Sequence, residues 1–210
     1  MKRGLFITFE GIDGAGKSTH LAWSADFLRE QGVALTLTRE PGGTPLGEKI
    51  RDLLLATQDK IHPETETLLM FCARRQHIEE VIQPALAHGE CVLCDRFTDA
   101  TFAYQGAGRG VEKSKIATLE AWVHSELQPD LTVLFDVSAK VGQERVARIK
   151  SPDRFERERA DFFMRVREAY DERMRQSPQR FVRVDGTLPI EAIRQALAHH
   201  FKIALSRWQA

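Results

Sequence analysis

Five short apolar runs that alternate with helical sequence constrain the fold of this chain more than any other feature. The runs occupy residues 5–9, 33–38, 91–94, 131–137 and 181–184. They are continuously apolar rather than alternately apolar and polar, which is typical of strands buried on both faces of a parallel sheet. The sequence therefore predicts five strands in one parallel sheet.

The intervals between these runs carry helical sequence. The predicted helices occupy residues 17–31, 45–56, 65–88, 113–127, 139–149, 161–176 and 189–208. This alternation predicts an α/β fold, a doubly wound five-stranded parallel sheet with helices on both faces. No repeat, low-complexity tract or Pro/Gly/Ser-rich linker interrupts the pattern, so we expect a single domain over residues 1–210. Ligands of such folds bind beyond the carboxyl ends of the strands.

Composition excludes several classes of protein. Apolar residues make up 42% of the chain and charged residues 29%, which argues against intrinsic disorder. Thirty Lys and Arg balance thirty Asp and Glu, so no bulk charge favours nucleic acid. No apolar run approaches the roughly 20 residues that span a bilayer, and the one after Arg3 is too short for a secretory signal. We therefore expect a cytoplasmic protein that binds neither nucleic acid nor membranes.

Three cysteines, Cys72, Cys91 and Cys94, leave an odd number for disulfide pairing. The spacing of Cys91 and Cys94 could begin a zinc or redox site, but no second pair stands at a matching distance. The two residues between them belong to a strand-like run. Small buried apolar side chains are therefore the favoured interpretation, and we expect no bound transition metal.

A glycine-rich stretch follows the first predicted strand and opens the first predicted helix. It matches the phosphate-binding loop (P-loop) pattern G-x-x-x-x-G-K-[ST] in full and consists of Gly11, Ile12, Asp13, Gly14, Ala15, Gly16, Lys17 and Ser18. Glycines let backbone N–H groups turn inward around phosphate, and a helix N-terminus adds partial positive charge. Lys17 can then reach the β- and γ-phosphates, and the Ser18 hydroxyl can bind Mg²⁺. This stretch predicts a nucleoside triphosphate site.

Asp95 and Arg96 follow the third predicted strand. A carboxylate there can hold Mg²⁺ directly or through water, and an arginine beside it can face the phosphates of a transferring group. A surface ion pair is the alternative interpretation. The Asn-Lys-x-Asp stretch with which GTPases recognise guanine is absent from the sequence.

A second glycine cluster, at residues 106–110, superficially resembles a dinucleotide-binding fingerprint. It follows no predicted strand, and a flexible loop is the better interpretation.

Four stretches taken together, residues 10–18, 38–44, 95–97 and 103–106, resemble the bacterial thymidylate kinases. The likeness runs in order from Phe6 to Pro189. It implies a P-loop fold like that of the nucleoside monophosphate kinases. It also implies ATP-dependent phosphorylation of dTMP to dTDP in dTTP biosynthesis, with Mg²⁺ and as a homodimer.

The resemblance implies a thymine-binding pair on the third predicted helix. Phe71 resembles the aromatic residue that stacks on the base, and Arg75 resembles the residue that hydrogen-bonds to the base edge. A spacing of four residues would direct both side chains into one pocket. Without the resemblance, the sequence pattern favours a core position on the helix for Phe71, and a solvent-exposed helix face for Arg74 and Arg75.

Other residues gain roles from the same resemblance. Those implied to line the nucleoside pocket are Thr101, Tyr104 and Gln105. Asp13 resembles the acid that contacts the 3′-OH end of the acceptor, or its phosphate through Mg²⁺. Arg39 and Arg51 are implied to lie near the acceptor phosphate and the base pocket. Arg96 is expected both to bind the acceptor and to act in catalysis. Whether Glu10 touches a ligand stays open, and the adenine contacts are expected from backbone near residues 185–189.

A lid is expected at about residues 145–160, where arginines alternate with acidic residues. Some family members carry an arginine within the P-loop, but Gly14 stands there in this chain. Family members that lack an arginine in the P-loop are similar to this chain in having arginines in the lid. Arg154 and Arg148 are the expected catalytic contacts to phosphate, while a solvated surface explains most other charges in the segment.

Two other functions stay open at this point. One is a kinase for another deoxynucleotide, because a pocket gains only about 1–3 kcal/mol from a single methyl group such as that of thymine. The other is an ATP-hydrolysing P-loop switch without a mononucleotide acceptor.

Overall fold

The five predicted strands form one parallel sheet. The computed structural model describes residues 2–56, 60–149, 155, 158 and 160–209. The strands are β1 (Phe6–Glu10), β2 (Leu35–Arg39), β3 (Cys91–Asp95), β4 (Leu131–Asp136) and β5 (Phe181–Asp185). Their order across the sheet is β2-β3-β1-β4-β5, and every neighbouring pair is parallel. The predicted fold class is confirmed.

The sheet register brings the strand ends together. Phe9 pairs with Asp95 of β3 and Val133 of β4, while Arg39 of β2 also pairs with Asp95. After β1 the chain forms β2 and β3 on one side of that strand, and then crosses to form β4 and β5 on its other side. The crevice beside β1 is therefore the switch point where doubly wound folds bind ligands. Glu10, the last residue of β1, lies at this edge.

Helices cover both faces of the sheet. They are α1 (Lys17–Glu30), α2 (Pro45–Ala56), α3 (Pro63–His77), α4 (Gln83–Ala87), α5 (Thr98–Thr101), α6 (Lys113–His124), α7 (Ala139–Ile149), α8 (Ala160–Gln176) and α9 (Ile190–Gln209). The described helices include none that is long and apolar enough to span a membrane.

The helix predicted at residues 65–88 is divided in the structure. α3 begins earlier, at Pro63, where the His62 side chain accepts a hydrogen bond from the Glu64 backbone N–H. A π-helical turn at Ile78–Ile82 then separates α3 from α4. Pro84 has no N–H to donate to the carbonyl four residues earlier, and the widened turn lies directly before it.

The prediction of a flexible loop around the second glycine cluster is wrong. Residues Phe102–Gly108 form a buried π-helical segment that continues α5. A Cβ atom at Gly108 would lie 2.5 Å from Cε2 of Phe162 on α8. The glycine therefore allows α8 to pack closely against this segment, a reason for glycine that turn propensity alone does not reveal.

Side-chain alternation along β1 divides the core between the two sheet faces. Ile7 and Phe9 belong to the cluster on one face, and Phe6 belongs to the cluster on the other. Cys91 and Cys94 are buried in these two different clusters. Burial raises the pKa of the Cys91 thiol to about 12, so both cysteines act as the small apolar side chains predicted.

Candidate active site

The loop after β1 curls around the N-terminus of α1. Gly11, Gly14 and Gly16 have φ values of 128°, 77° and 102°, in the region that favours glycine. A Cβ atom at Gly14 would lie 2.2 Å from the carbonyl oxygen of Gly142 on α7. The first helical N–H groups face a cavity without a side-chain cap, which is the arrangement that binds phosphate.

Lys17 lies across this loop. Its side chain is buried, and its Nζ donates to the carbonyl oxygens of Gly11 and Ile12 over 2.9 and 3.0 Å. Burial lowers the pKa of Lys17, an effect opposed by the nearby carboxylates of Asp13 and Asp95. The ammonium is therefore held at the loop by carbonyl oxygens and negative charge.

Two cavities open at the carboxyl end of the sheet and share one wall. Asp13, Glu40, Arg51 and Arg96 line both of them. The larger cavity contains the P-loop, and its lining has more cations than carboxylates, which are Asp13, Glu40 and Asp95. The cations that line it are Lys17, Arg39, Arg51, Arg96, Arg145 and Arg148. Such a surface suits a polyphosphate.

The shared wall is a half-buried group of hydrogen-bonded side chains. The Arg96 Nη2 donates to Asp13 Oδ1 over 2.7 Å and to the Tyr104 hydroxyl over 3.0 Å, while Tyr104 donates to Asp13 Oδ2 over 3.1 Å. The Arg96 Nη1 donates to Gly11 O and to the Tyr170 hydroxyl. The strained φ of 71° at Arg96 persists because these contacts fix the side chain.

Neighbouring groups determine the ionisation of Asp13 and Arg96. Burial by itself raises the pKa of Asp13, but the charges of Arg96 and Lys17 outweigh it and hold the pKa at about 2. Burial works against the charge of Arg96, yet Tyr104, Asp13 and Tyr170 raise its pKa well above the ordinary value. Both side chains are therefore ionised at neutral pH.

Asp95 and Ser18 both line the larger cavity. The Oδ1 atom of Asp95 is buried and has no hydrogen-bond partner among the described residues. A buried carboxylate oxygen without a partner is unfavourable unless a cation or water satisfies it. The two oxygen-bearing side chains thus fit the ligand preference of Mg²⁺.

The smaller cavity is partly apolar. Thr101, Tyr104 and Gln105 line it, as the resemblance implied, together with Phe97 and Met70. Their roles toward a nucleotide stay predictions.

Arg39 and Arg51 lie at the edges of these cavities. Arg51 lines both and donates to the carbonyl oxygen of Pro41 over 3.0 Å. Arg39 lines only the larger one, where it pairs with Glu48 at 2.8 Å.

The expectation that Phe71 and Arg75 project into one pocket is wrong. The ring of Phe71 is buried in the core cluster with Phe6 and does not line the cavity. Arg75 is half exposed, where it pairs with Glu79 and donates to Val123 O. The spacing of four residues was suitable, but the helix is rotated by one residue relative to the predicted phase.

Met70 and Arg74 occupy the positions that face the smaller cavity. Arg74 is only 3% exposed; its Nε donates to Glu40 Oε2 over 2.7 Å and its Nη2 to Thr101 Oγ1 over 3.1 Å. The guanidinium lies over the ring of Phe97 at 5.2 Å. Sequence reasoning missed Arg74, Met70 and Glu40, although the position of Glu40 directly after β2 was a usable signal.

The described part of the expected lid contributes to both cavities. Arg148 is exposed and lines the larger one, whereas Arg154 lies outside the described residues. Arg145, the first residue of the expected lid, donates to the carbonyl oxygens of Gly14 and Gly186 over 3.2 and 2.9 Å. Phe155 lines the smaller cavity, with its ring 6.3 Å from that of Tyr104.

The P-loop lies at the switch point of a β2-β3-β1-β4-β5 sheet, and a second cavity adjoins its phosphate-binding site. These two features define a P-loop phosphotransferase of the nucleoside monophosphate kinase type. A model of the thymidylate kinase family matches residues 9–197. The chain belongs to the thymidylate kinase family.

Similar proteins agree with this family over nearly the full length. A thymidylate kinase of Cupriavidus metallidurans is 60% identical, with 93% of this chain and 96% of that relative covered. One of Nitrosomonas europaea is 58% identical, with 94% and 92% covered. A crystal structure of thymidylate kinase from Ehrlichia chaffeensis superposes with a TM-score of 0.79 at 33% identity, covering 95% of this chain and 99% of that one.

Proposed function

We propose that this protein transfers the γ-phosphoryl group of ATP to dTMP and yields dTDP and ADP. Beyond membership of the family, one observation supports this proposal most strongly. The P-loop cavity and the smaller cavity meet at Asp13 and Arg96. Two nucleotides bound on either side of this wall would bring their phosphates together.

ATP would occupy the larger cavity. Its β- and γ-phosphates would lie on the P-loop, where Lys17 and the α1 N-terminus supply positive charge. The same cavity continues between His20, Leu188 and Ile190, a partly apolar region that suits adenine. This continuation agrees with the expected adenine contacts near residues 185–189.

The acceptor dTMP would occupy the smaller cavity. Met70 and Phe97 offer apolar surface to the base, and the Arg74 guanidinium offers donors to its carbonyl edge. Tyr104, fixed by Asp13 and Arg96, would limit the room beside the sugar. These assignments replace Phe71 and Arg75 by Met70 and Arg74.

The transfer requires orientation and charge rather than a strong base. The dTMP phosphate is already anionic, so in-line attack on the γ-phosphorus needs no deprotonation. Arg96, Lys17 and the lid arginines Arg148 and Arg154 would neutralise charge that spreads over the transferring group. Ser18 and Asp95 are the residues that would hold Mg²⁺. When bound, Mg²⁺ neutralises phosphate charge and orients the phosphate oxygens.

The same proposal includes one domain over residues 1–210 with a lid at about 145–160, in a cytoplasmic homodimer. Exposed apolar side chains support the dimer: Leu53, Leu68 and Trp122 lie on α2, α3 and α6, and α3 packs against both other helices. Light scattering at micromolar concentration tests for the dimer.

A coupled assay of ADP release at fixed ATP and Mg²⁺, with a panel of nucleoside monophosphates, tests the activity. We expect the highest kcat/KM with dTMP and weaker turnover with dUMP, because one methyl group separates the two bases. A rate that does not depend on any monophosphate would indicate an ATP-hydrolysing switch. A preference for dCMP or AMP would assign a different acceptor.

A further inference from the structure

A chain of buried polar groups runs from the edge strand β2 to the acceptor cavity. His77 is fully buried at the end of α3. Its Nε2 lies 2.6 Å from the Thr38 hydroxyl, and its Nδ1 lies 3.0 Å from Glu40 Oε1. The other oxygen of Glu40 accepts from Arg74 Nε over 2.7 Å. His77 itself lines neither cavity.

The protons in this chain can be assigned. Burial raises the pKa of Glu40, but Arg74 and His77 outweigh burial and lower it, so the carboxylate is ionised and only accepts. The Nδ1 atom of His77 must therefore donate to Glu40. In the neutral ring, Nε2 then accepts the Thr38 hydroxyl proton.

The imidazole is closely packed against the loop after β2. A Cβ atom at Gly43 would lie 2.5 Å from Cδ2 and Nε2 of His77 and 2.7 Å from Thr38 Oγ1. The loop after β2 thus closes over the ring without space for another side chain. The closely packed ring contacts one oxygen of Glu40, while Arg74 binds the other.

The guanidinium at the end of this chain keeps one nitrogen, Nη1, without a hydrogen-bond partner among the described residues. Nε binds Glu40 and Nη2 binds Thr101, whereas the buried Nη1 has no hydrogen-bond partner within the described ranges. Arg74 lines the smaller cavity. Its orientation depends on Glu40, whose orientation depends on His77.

We propose that His77 is a positioning residue, which acts through Glu40 to fix the direction in which Arg74 presents Nη1 to the base of the acceptor nucleotide. The inference rests on the proposed function and deepens it. It assigns base discrimination partly to a residue that never touches the nucleotide.

Two conservative variants separate the roles of the two ring nitrogens. The amide of asparagine in His77→Asn reaches the position of Nδ1 and can still donate to Glu40, whereas the amide of glutamine in His77→Gln reaches the position of Nε2. His124 offers a matched control, because it is also buried and bonded to a threonine hydroxyl, with Nε2 2.7 Å from Thr98 Oγ1. It has no hydrogen bond to Glu40.

The measurements are the Kd of dTMP by calorimetry without ATP, and the KM values of dTMP, dCMP and ATP. For His77→Gln we expect the Kd and KM of dTMP to rise about tenfold and the KM of ATP to stay within about twofold. The preference for dTMP over dCMP should fall, because cytosine carries an amino group where thymine has a carbonyl. For His77→Asn and His124→Gln the Kd should stay within about threefold.

Thr38→Val is a second, isosteric test. It removes the hydroxyl that donates to Nε2 of His77, while the bond from Nδ1 to Glu40 stays. We therefore expect a smaller rise in the Kd of dTMP and an unchanged KM of ATP. Equal effects of His77→Asn and His77→Gln, or an equal rise in the KM of ATP, would show a merely structural role and overturn the inference. A wild-type protein that binds no dTMP overturns the proposed function as well, whereas normal wild-type binding with an unaffected His77→Gln variant overturns this inference alone.

Discussion

Arg96 joins the two cavities through a single guanidinium. Its Nη1 and Nη2 atoms contact the P-loop carbonyl of Gly11 and the acceptor-side hydroxyl of Tyr104. Hydrogen bonds to other protein groups hold the side chain in place. Such preorganised charge stabilises a transition state without reorganisation at the moment of reaction.

Replacing Arg96 or Lys17 by alanine should therefore abolish most turnover. We expect kcat to fall by about 10³-fold or more for each variant, because a cation near the transferring group is lost. Steady-state kinetics with dTMP and ATP give the measurement, and circular dichroism checks the fold. Arg167→Ala is the matched control, since Arg167 pairs with Asp136 outside both cavities. Near-normal activity in a folded Arg96→Ala variant would reject its assigned role.

Burial of Glu10 at the carboxyl edge of the sheet makes the free energy of unfolding depend on pH. Burial, with a smaller contribution from Asp99, raises the pKa of Glu10 from 4.5 to about 8. The carboxyl accepts from the Phe97 N–H over 2.7 Å and lies 2.8 Å from the Tyr170 hydroxyl. The folded protein thus binds this proton more tightly than the unfolded chain does. The resulting contribution to the free energy of unfolding is fully present below about pH 4.5, and it is lost as the pH rises through about 8.

Glu10→Gln tests this sign directly. The amide resembles the protonated carboxyl in shape but does not titrate. The free energy of unfolding in urea should therefore fall less between pH 5 and pH 8 in the variant than in the wild type. Identical pH slopes for the two proteins would contradict the raised pKa.

The rotation of α3 decides which side chains form the acceptor cavity. The run Leu68, Leu69, Met70, Phe71 and Cys72 is apolar throughout. An apolar run without polar interruptions does not fix the buried face of a helix. The packing of α3 against α2 and α6 fixes it instead, and this information is not local in sequence.

Paired substitutions on α3 test the rotation. Phe71→Leu should lower the free energy of unfolding by about 1–3 kcal/mol and leave the KM of dTMP nearly unchanged, because Phe71 packs in the core. Met70→Ala should raise the KM of dTMP about tenfold, because apolar contact with the base is lost. Thermal unfolding and kinetics on both variants supply the data. The reverse pattern would restore Phe71 as the base-stacking residue.

At the scale of the whole molecule, short-range signals predicted the sheet and the P-loop well. Continuous apolar strands and the spacing of Gly11, Gly16 and Lys17 are local features, and the parallel sheet follows from them. The Glu40–Arg74–Thr101 contacts join three separate segments. The buried segment of residues 102–108 depends on Phe162, more than fifty positions away. Such contacts arise only when the fold is complete.

The central claim is that donor and acceptor nucleotides meet at the wall formed by Asp13 and Arg96. Competition by a linked ligand, thymidine joined to adenosine through an oligophosphate, tests it most directly. Calorimetric titration should show binding tighter than that of either ATP or dTMP, with one molecule bound per chain and displacement by each nucleotide. Displacement by ATP alone, with dTMP still able to bind at full affinity, would contradict the claim.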